Sequence, residues 1–456
     1  MTEMLKSIDP SSGRVVGEVG ITPVDAIPSI VAETHRAGRA WAGIPVDERA
    51  GILAAAGERL VERAEELGTL LSREMGKPLK YGIGEVTFCG KTLPGKAHAV
   101  AAALQPQKTE ADGLETVVHY DPYGVCGVIT PWNYPMSMPQ WMVVPALVAG
   151  NGVVLKPSEE TPLIGQAYAD VLGEVLPEGV LRVIHGGDAQ GKALVEADVQ
   201  LIAFTGSRAA GVHIMGSAAG SLKRLVLELG GKDPMLVLDD ADVDAAASVA
   251  VENSFENSGQ MCVSIERIYV HEAVADAFEA KVAELSSKLE IGAWDDDRAE
   301  LGPMINDRQR DHVIAQIRDA VEKGARVLCG DTEHPPAFVR PTVLADVTDA
   351  MAIMQEETFG PVACIARFDD LDDAVERANA GIYGLGATVF GSDETRAYEV
   401  ARRLDAGMVG VNKSCFPPGD APWVGAKQSG YGFHGSPAGH RQFAQCRVLS
   451  RPRPTE

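Results

Sequence analysis

The sequence predicts an α/β protein of two domains, each with short buried strands alternating with helices, completed by a small separate sheet. Three observations predict it. Apolar runs of strand length alternate with helical stretches between residues 124 and 230; a second alternating series runs from 234 to about 433; and two strand-like segments, 115–120 and 443–449, stand apart from both. Such alternation implies parallel strands with crossover helices, and a doubly wound sheet binds its ligand at the carboxyl ends of the strands.

Each element has its own justification. A chain of 456 residues is too long for one ordinary core, which suggests two or three domains. Apolar residues three and four apart predict helices over 25–41 and 46–74, with Gly76, Lys77 and Pro78 as a stop. Strands are expected at 125–130, 152–155, 181–184, 201–204 and 225–229, and second-domain helices at 242–256 and 274–289. The alternating segment 115–120, followed by Pro122, Tyr123 and Gly124, reads as a strand or hairpin that can pair with 443–449 and extend a neighbouring subunit's sheet. The expected division is 1–103 with 123–230 for the first domain, 231–442 for the second, and 104–122 with 443–456 for the association segment.

Composition excludes several classes. Hydrophobic residues at 45% and charged residues at 23% are those of a soluble globular chain. A formal charge of −23 repels phosphate backbones, so nucleic acid is not an expected partner. No leader-like start or membrane-length apolar run is present, and the reading is a cytoplasmic protein with no membrane partner. Cysteines at 89, 126, 262, 329, 364, 415 and 446 show neither paired nor metal-ligand spacing, so no disulfide framework and no metal site is expected.

Four segments carry candidate chemistry. Leu201 to Gly211 runs from an apolar strand through a turn bounded by Gly206 and Gly211, with Ser207 between them, into a helix. Backbone N–H groups there can cradle a diphosphate, although an ordinary strand-to-helix turn reads the same way. The Lys-Ser/Thr pair of a triphosphatase loop is missing. Lys156 and Glu159 follow another strand and put a cation and a carboxylate where a ribose would lie; a carboxylate there repels a 2′-phosphate. Glu228 closes a buried strand, where desolvation would raise its pKa toward that of a general base; the alternative is a salt bridge with Lys232. Cys262 ends a small, polar loop and is a candidate nucleophile, with the side-chain amide of Asn133 and its own N–H as candidate oxyanion donors.

In this order and spacing these segments resemble the NAD(P)-dependent aldehyde dehydrogenase superfamily over essentially the whole chain. The most specific pieces are Glu228-Leu229-Gly230-Gly231-Lys232, Gly259-Gln260-Met261-Cys262 and Glu356-Glu357-Thr358-Phe359-Gly360-Pro361. The resemblance implies a Rossmann-type cofactor domain, a second α/β catalytic domain and a small oligomerisation sheet giving a dimer or tetramer. It makes Cys262 the nucleophile, Glu228 the base and Asn133 the oxyanion amide. It also implies that Thr130, Trp132, Lys156, Glu159, Gly206, Ser207 and Gly211 line the adenosine and diphosphate, with Glu357 and Phe359 at the nicotinamide ribose and ring. NAD is the preferred cofactor and NADP the alternative.

The same resemblance sets Tyr134, Met138, Trp141 and Trp423 along a substrate tunnel. Members similar to succinic semialdehyde dehydrogenases carry arginine where this chain has Trp141, so an uncharged aliphatic or aromatic aldehyde is the expected partner. Tyr134, Trp141 and Trp423 also resemble parts of a betaine aldehyde cage, incomplete because Glu256 replaces an aromatic; betaine aldehyde or an aminoaldehyde is the lesser alternative. Phe433 and His434 stand where many members have Arg-Glu, and His434 reads either as a proton carrier or as a structural histidine. Rival readings are a CoA-acylating enzyme, a catalytically silent homologue and a cysteine hydrolase.

Overall fold

The computed structural model describes residues 3–331 and 333–453. The expected domain segments 1–103 and 443–456 therefore include residues 1, 2 and 454–456, which lie outside the described residues. Two large sheets organise the chain. A six-stranded sheet has the order Gly430–Tyr431, Arg224–Glu228, Leu201–Thr205, Val125–Ile129, Gly152–Lys156, Leu181–Val183. All of its neighbours are parallel except the first pair. The seven-stranded sheet runs Arg326–Cys329, Thr342–Ala345, Val362–Phe368, Ile265–His271, Asp233–Val237, Gly386–Phe390, Met408–Val411, antiparallel only at Arg326–Cys329. Both sheets are covered by helices, which is why their strands read as continuous apolar runs.

The separate sheet forms as expected: Ala444–Pro452 pairs antiparallel with Leu114–Pro122. A third strand, Gln107–Ala111, was not expected; every residue in it is exposed, so it carries no apolar alternation to read. Two further elements depart from the sequence reading. Residues Met4–Ile8 and Val15–Gly20 form a hairpin. Beyond the predicted stop at Pro78 the chain resumes as the helix Leu79–Ala103, with Pro78 at its N-cap. That helix packs on Val46–Glu62, Ala64–Met75 and Ser137–Val148, so its apolar residues spread around it instead of forming one stripe. No helix among the described residues is long and apolar enough to cross a membrane.

Candidate active site

Two threonines mark the point where the six-stranded sheet changes direction. Strand Val125–Ile129 is followed in the chain by Gly152–Lys156 and Leu181–Val183 on one side, then by Leu201–Thr205 and Arg224–Glu228 on the other. The connections diverge between Ile129 and Phe204, which are register partners, and such a switch point is where a doubly wound sheet takes its ligand, beyond the carboxyl ends of the strands. The hydroxyls of Thr130 and Thr205 are buried there without hydrogen-bond partners among the described residues. Lys156, opposite Ile129, is buried, with Nζ 3.2 Å from the Pro157 carbonyl and 3.3 Å from the Glu159 carboxylate. Gly206 makes the turn after Thr205, and Ser207 caps the helix Arg208–Ala219, its hydroxyl accepting from the Ala210 N–H at 3.3 Å. Gly211 has a packing role too: a Cβ there would meet the Leu229 side chain at 2.5 Å.

Cys262 is reached from the helix Val243–Phe255 through a strained turn. Asn257, Ser258 and Gly259 hold φ of 52°, 58° and 68°, a left-handed run costly for the first two. Side chains hold it in place. Ser258 Oγ donates to the Gly302 carbonyl at 2.8 Å, and Gln260 Oε1 accepts from the Ile305 N–H at 2.9 Å. A Cβ on Gly259 would lie 2.1 Å from the Gly360 carbonyl oxygen, so only glycine lets the turn seat against the loop that follows Glu357. Asn133 is stitched to the same turn. Its Nδ2 donates to the Gln260 carbonyl at 3.0 Å, while its own carbonyl accepts from Asn257 Nδ2 and Lys77 Nζ, each at 3.0 Å. An amide nitrogen carries two hydrogens, so one stays available for a substrate oxygen.

Burial sets the electrostatics. Neither oxygen of the Glu228 carboxylate has a partner among the described residues, and burial pushes its pKa well above the carboxylate range. Burial, followed by the charges of Asp233, Glu228 and Glu357, pushes the Cys262 thiol well up. The salt bridge between Glu228 and Lys232 does not form: Lys232 Nζ lies 2.6 Å from Glu266 Oε2 and 2.9 Å from Thr358 Oγ1. Glu266 also accepts from the N–H groups of Thr358 and Phe359, both at 2.8 Å, and so pins the segment 357–360. Glu357 accepts from the Gly231 N–H at 3.1 Å, with its pKa raised to about 8 by burial and by the nearby charge of Glu266. Phe359 meets Trp132 edge-on at 5.5 Å between centroids.

On its other side Cys262 opens, together with Asn133, onto a cavity of about 1360 Å³ whose wall includes Tyr134, Met138, Trp141 and Trp423. Tyr134 donates its hydroxyl to Glu256 at 2.7 Å and carries Lys77 Nζ 4.0 Å from its ring centroid. Trp141 lies 5.2 Å from Trp423 and 5.1 Å from His434, and His434 stacks on Trp423 at 6.3 Å. Burial, then Lys96 and His440, lowers the pKa of His434 well below the usual histidine value, and the ring is neutral near pH 7. A neutral ring packed beside two indoles that also meet each other favours its structural reading over proton transfer.

Residues 1–449 match the aldehyde dehydrogenase family. The chain is a member of that family. It is 37% identical over 456 residues to a betaine aldehyde dehydrogenase of Sinorhizobium fredii, spanning 98% of this chain and 93% of the relative. It is 38% identical over 449 residues to a probable succinate-semialdehyde dehydrogenase [NADP(+)] of the same organism, spanning 97% and 91%. The crystal structure of an NAD-dependent aldehyde dehydrogenase from Sinorhizobium meliloti superposes with a TM-score of 0.95 at 33% identity, covering 100% of this chain and 93% of that one. The expected fold class therefore stands, and the protein is an oxidoreductase of a family that uses NAD(P) and small aldehydes.

The polar groups at the switch point fit such a dinucleotide. The orphaned Thr130 and Thr205 hydroxyls, the buried Lys156 ammonium and the capped start of Arg208–Ala219 form a donor set suited to diphosphate and ribose oxygens. Sequence reasoning missed the supports behind these groups. The Lys77–Glu85 ion pair, 2.8 Å and buried, holds the Asn133 carbonyl on one side; on the other, Glu85 accepts from the N–H groups of Met136 and Ser137 at the start of Ser137–Val148. Lys77 had been read only as part of a helix stop, and no local pattern couples it to residues beyond 130.

Proposed function

We propose that the chain oxidises an aldehyde to its carboxylic acid, with reduction of a nicotinamide dinucleotide, through a covalent adduct on Cys262. The observation carrying this reading is the arrangement around Cys262: the segment after Glu228 lies against it, so that a Cβ on Gly231 would meet the Cys262 carbonyl oxygen at 2.5 Å; the buried Glu228 carboxylate has no partner among the described residues; and Asn133 is tied to the cysteine turn.

Cys262 Sγ adds to the carbonyl carbon as its proton passes to Glu228, and the carbonyl electron pair moves to oxygen. Asn133 Nδ2 and the Cys262 N–H stabilise that oxygen. A bound nicotinamide supplies the hydride acceptor. The residues for its support are Glu357 and Phe359 at the ribose and ring, with Thr130, Trp132, Lys156, Glu159, Gly206, Ser207 and Gly211 at adenosine and diphosphate. Glu228 releases the thiol proton to solvent and, as carboxylate again, takes a proton from water as the water oxygen attacks the Cys262 thioester; the carbon–sulfur bond breaks, thiolate returns and the acid leaves. An unpartnered carboxylate in this position favours water over CoA as the acyl acceptor. Glu159, held beside Lys156, disfavours a 2′-phosphate, so NAD+ is the preferred coenzyme. Tyr134, Met138, Trp141 and Trp423 enclose the hydrocarbon part of the substrate. Self-association as a dimer or tetramer proceeds through the three-stranded sheet.

The test is absorbance at 340 nm with NAD+ and NADP+ across neutral, cationic and anionic aldehydes. Wild type reduces coenzyme, faster with NAD+, and Cys262→Ala loses about 10³-fold or more. Folded wild type that reduces neither coenzyme with any aldehyde would be a catalytically silent homologue.

A further inference from the structure

The cavity wall holds, beside Trp141, an ammonium that the catalytic reading does not use. Lys96, on the helix Leu79–Ala103, lines the cavity with its Nζ 5.2 Å from the centroid of the Trp141 ring. It has no hydrogen-bond or ion-pair partner among the described residues. Asp420, the carboxylate whose charge acts on it, already accepts from His440 Nε2 at 2.9 Å and from the Ser436 N–H at 3.0 Å. Lys96 is half-buried, and a partly desolvated cation with no carboxylate hydrogen-bonded to it among the described residues costs free energy that a ligand anion would recover.

Resting on the proposed aldehyde oxidation, we propose that Lys96 is a specificity residue that pairs with an anionic group at the distal end of the substrate, making ω-carboxyaldehydes the preferred class. Trp141 at the position of a relative's arginine had pointed to an uncharged substrate; Lys96 supplies the cation from a different helix and sets it over that indole. The same placement disfavours a trimethylammonium. The Trp141 face such a group would need is already occupied by a cation, and like charges repel. Glu256, the carboxylate that could attract an amine, is exposed and already accepts the Tyr134 hydroxyl.

The experiment compares adipate semialdehyde, hexanal and betaine aldehyde as substrates of wild type, Lys96→Met and Lys96→Arg, with calorimetric binding of adipate and hexanoate alongside. Wild type should favour the semialdehyde. Lys96→Met should lower the semialdehyde-to-hexanal ratio of kcat/KM about 10- to 100-fold, mainly through KM, with Lys96→Arg restoring most of it. A second readout needs no variant. Burial lowers the Lys96 pKa to about 8 against the raising influence of Cys89 and Asp420, with His434 and His440 also facing it. The wild-type ratio should therefore fall as pH rises through 8. An unchanged ratio in Lys96→Met, or betaine aldehyde as the best wild-type substrate, would overturn the assignment. Failure of every aldehyde to reduce coenzyme would instead strike the oxidation itself; adipate binding, tighter than hexanoate only when Lys96 is present, would still decide the anion subsite.

Discussion

Glu228 must ionise to act, and its surroundings resist ionisation. Because burial raises its folded pKa above the unfolded value, the neutral form stabilises the fold at low pH, and that contribution is lost as pH rises through the folded pKa. Catalysis runs the other way: the base form gains population over the same range, so kcat should climb with pH. Glu228→Gln should flatten that climb and slow steady turnover by about 10²- to 10⁴-fold, and because Glu228 also takes the thiol proton, it should slow the first-turnover burst of reduced coenzyme in stopped flow. A variant that kept a fast burst near one equivalent would confine Glu228 to activating water. Glu228, Cys262 and Asn133 were legible because each ends a strand or loop in a distinctive local string. Lys77, Glu85 and Lys96 were not: their partners stand at 133, 136 and 141, and only the packing of Leu79–Ala103 on Ser137–Val148 brings them together.

At the level of elements, the site is a seam between two loops, the cysteine turn and the segment 357–360. Glu266 locks the second loop with its bonds to Lys232, Thr358 and Phe359, and Gly259 lets the first lie against it. Glu266→Gln would leave the Lys232 ammonium buried without its carboxylate, which costs about 3–5 kcal/mol. Chemical denaturation should register that loss, and the coenzyme KM should rise because Phe359 is no longer held; an unchanged midpoint would mean that the Thr358 hydroxyl suffices as a partner for Lys232. The strands bearing the site were readable because burial on both faces makes each an unbroken apolar run. The hairpin Met4–Ile8 with Val15–Gly20 is largely exposed, so the sequence offers neither an apolar run nor a clean alternation there.

At the scale of the whole molecule, the three-stranded sheet stands out as unfinished. Strand Ala444–Pro452 is an edge, exposed along all but its first residue. Alternation assigns its side chains to two faces. On one, Arg447 and Arg451 pair with Asp121 and Glu115 of the neighbouring strand. The other carries Cys446 and Val448 opposite Tyr120 and Val118, with Val448 58% exposed. An open apolar edge on a monomer invites strand pairing with a second copy, and a charge placed on it opposes that pairing. The strand starts from firm ground: Phe443 is fully buried, and its carbonyl accepts from Asn151 Nδ2 at 2.8 Å. A substitution five residues further along should therefore disturb association before it disturbs the fold. Light scattering should give wild type a multiple of the 48.3 kDa chain and Val448→Asp a lower mass. The concentration dependence of Tm that accompanies oligomers should weaken in parallel. Wild type eluting at the chain mass would mean the edge is protected by its charged face alone. Unchanged assembly in Val448→Asp would assign association to a different surface.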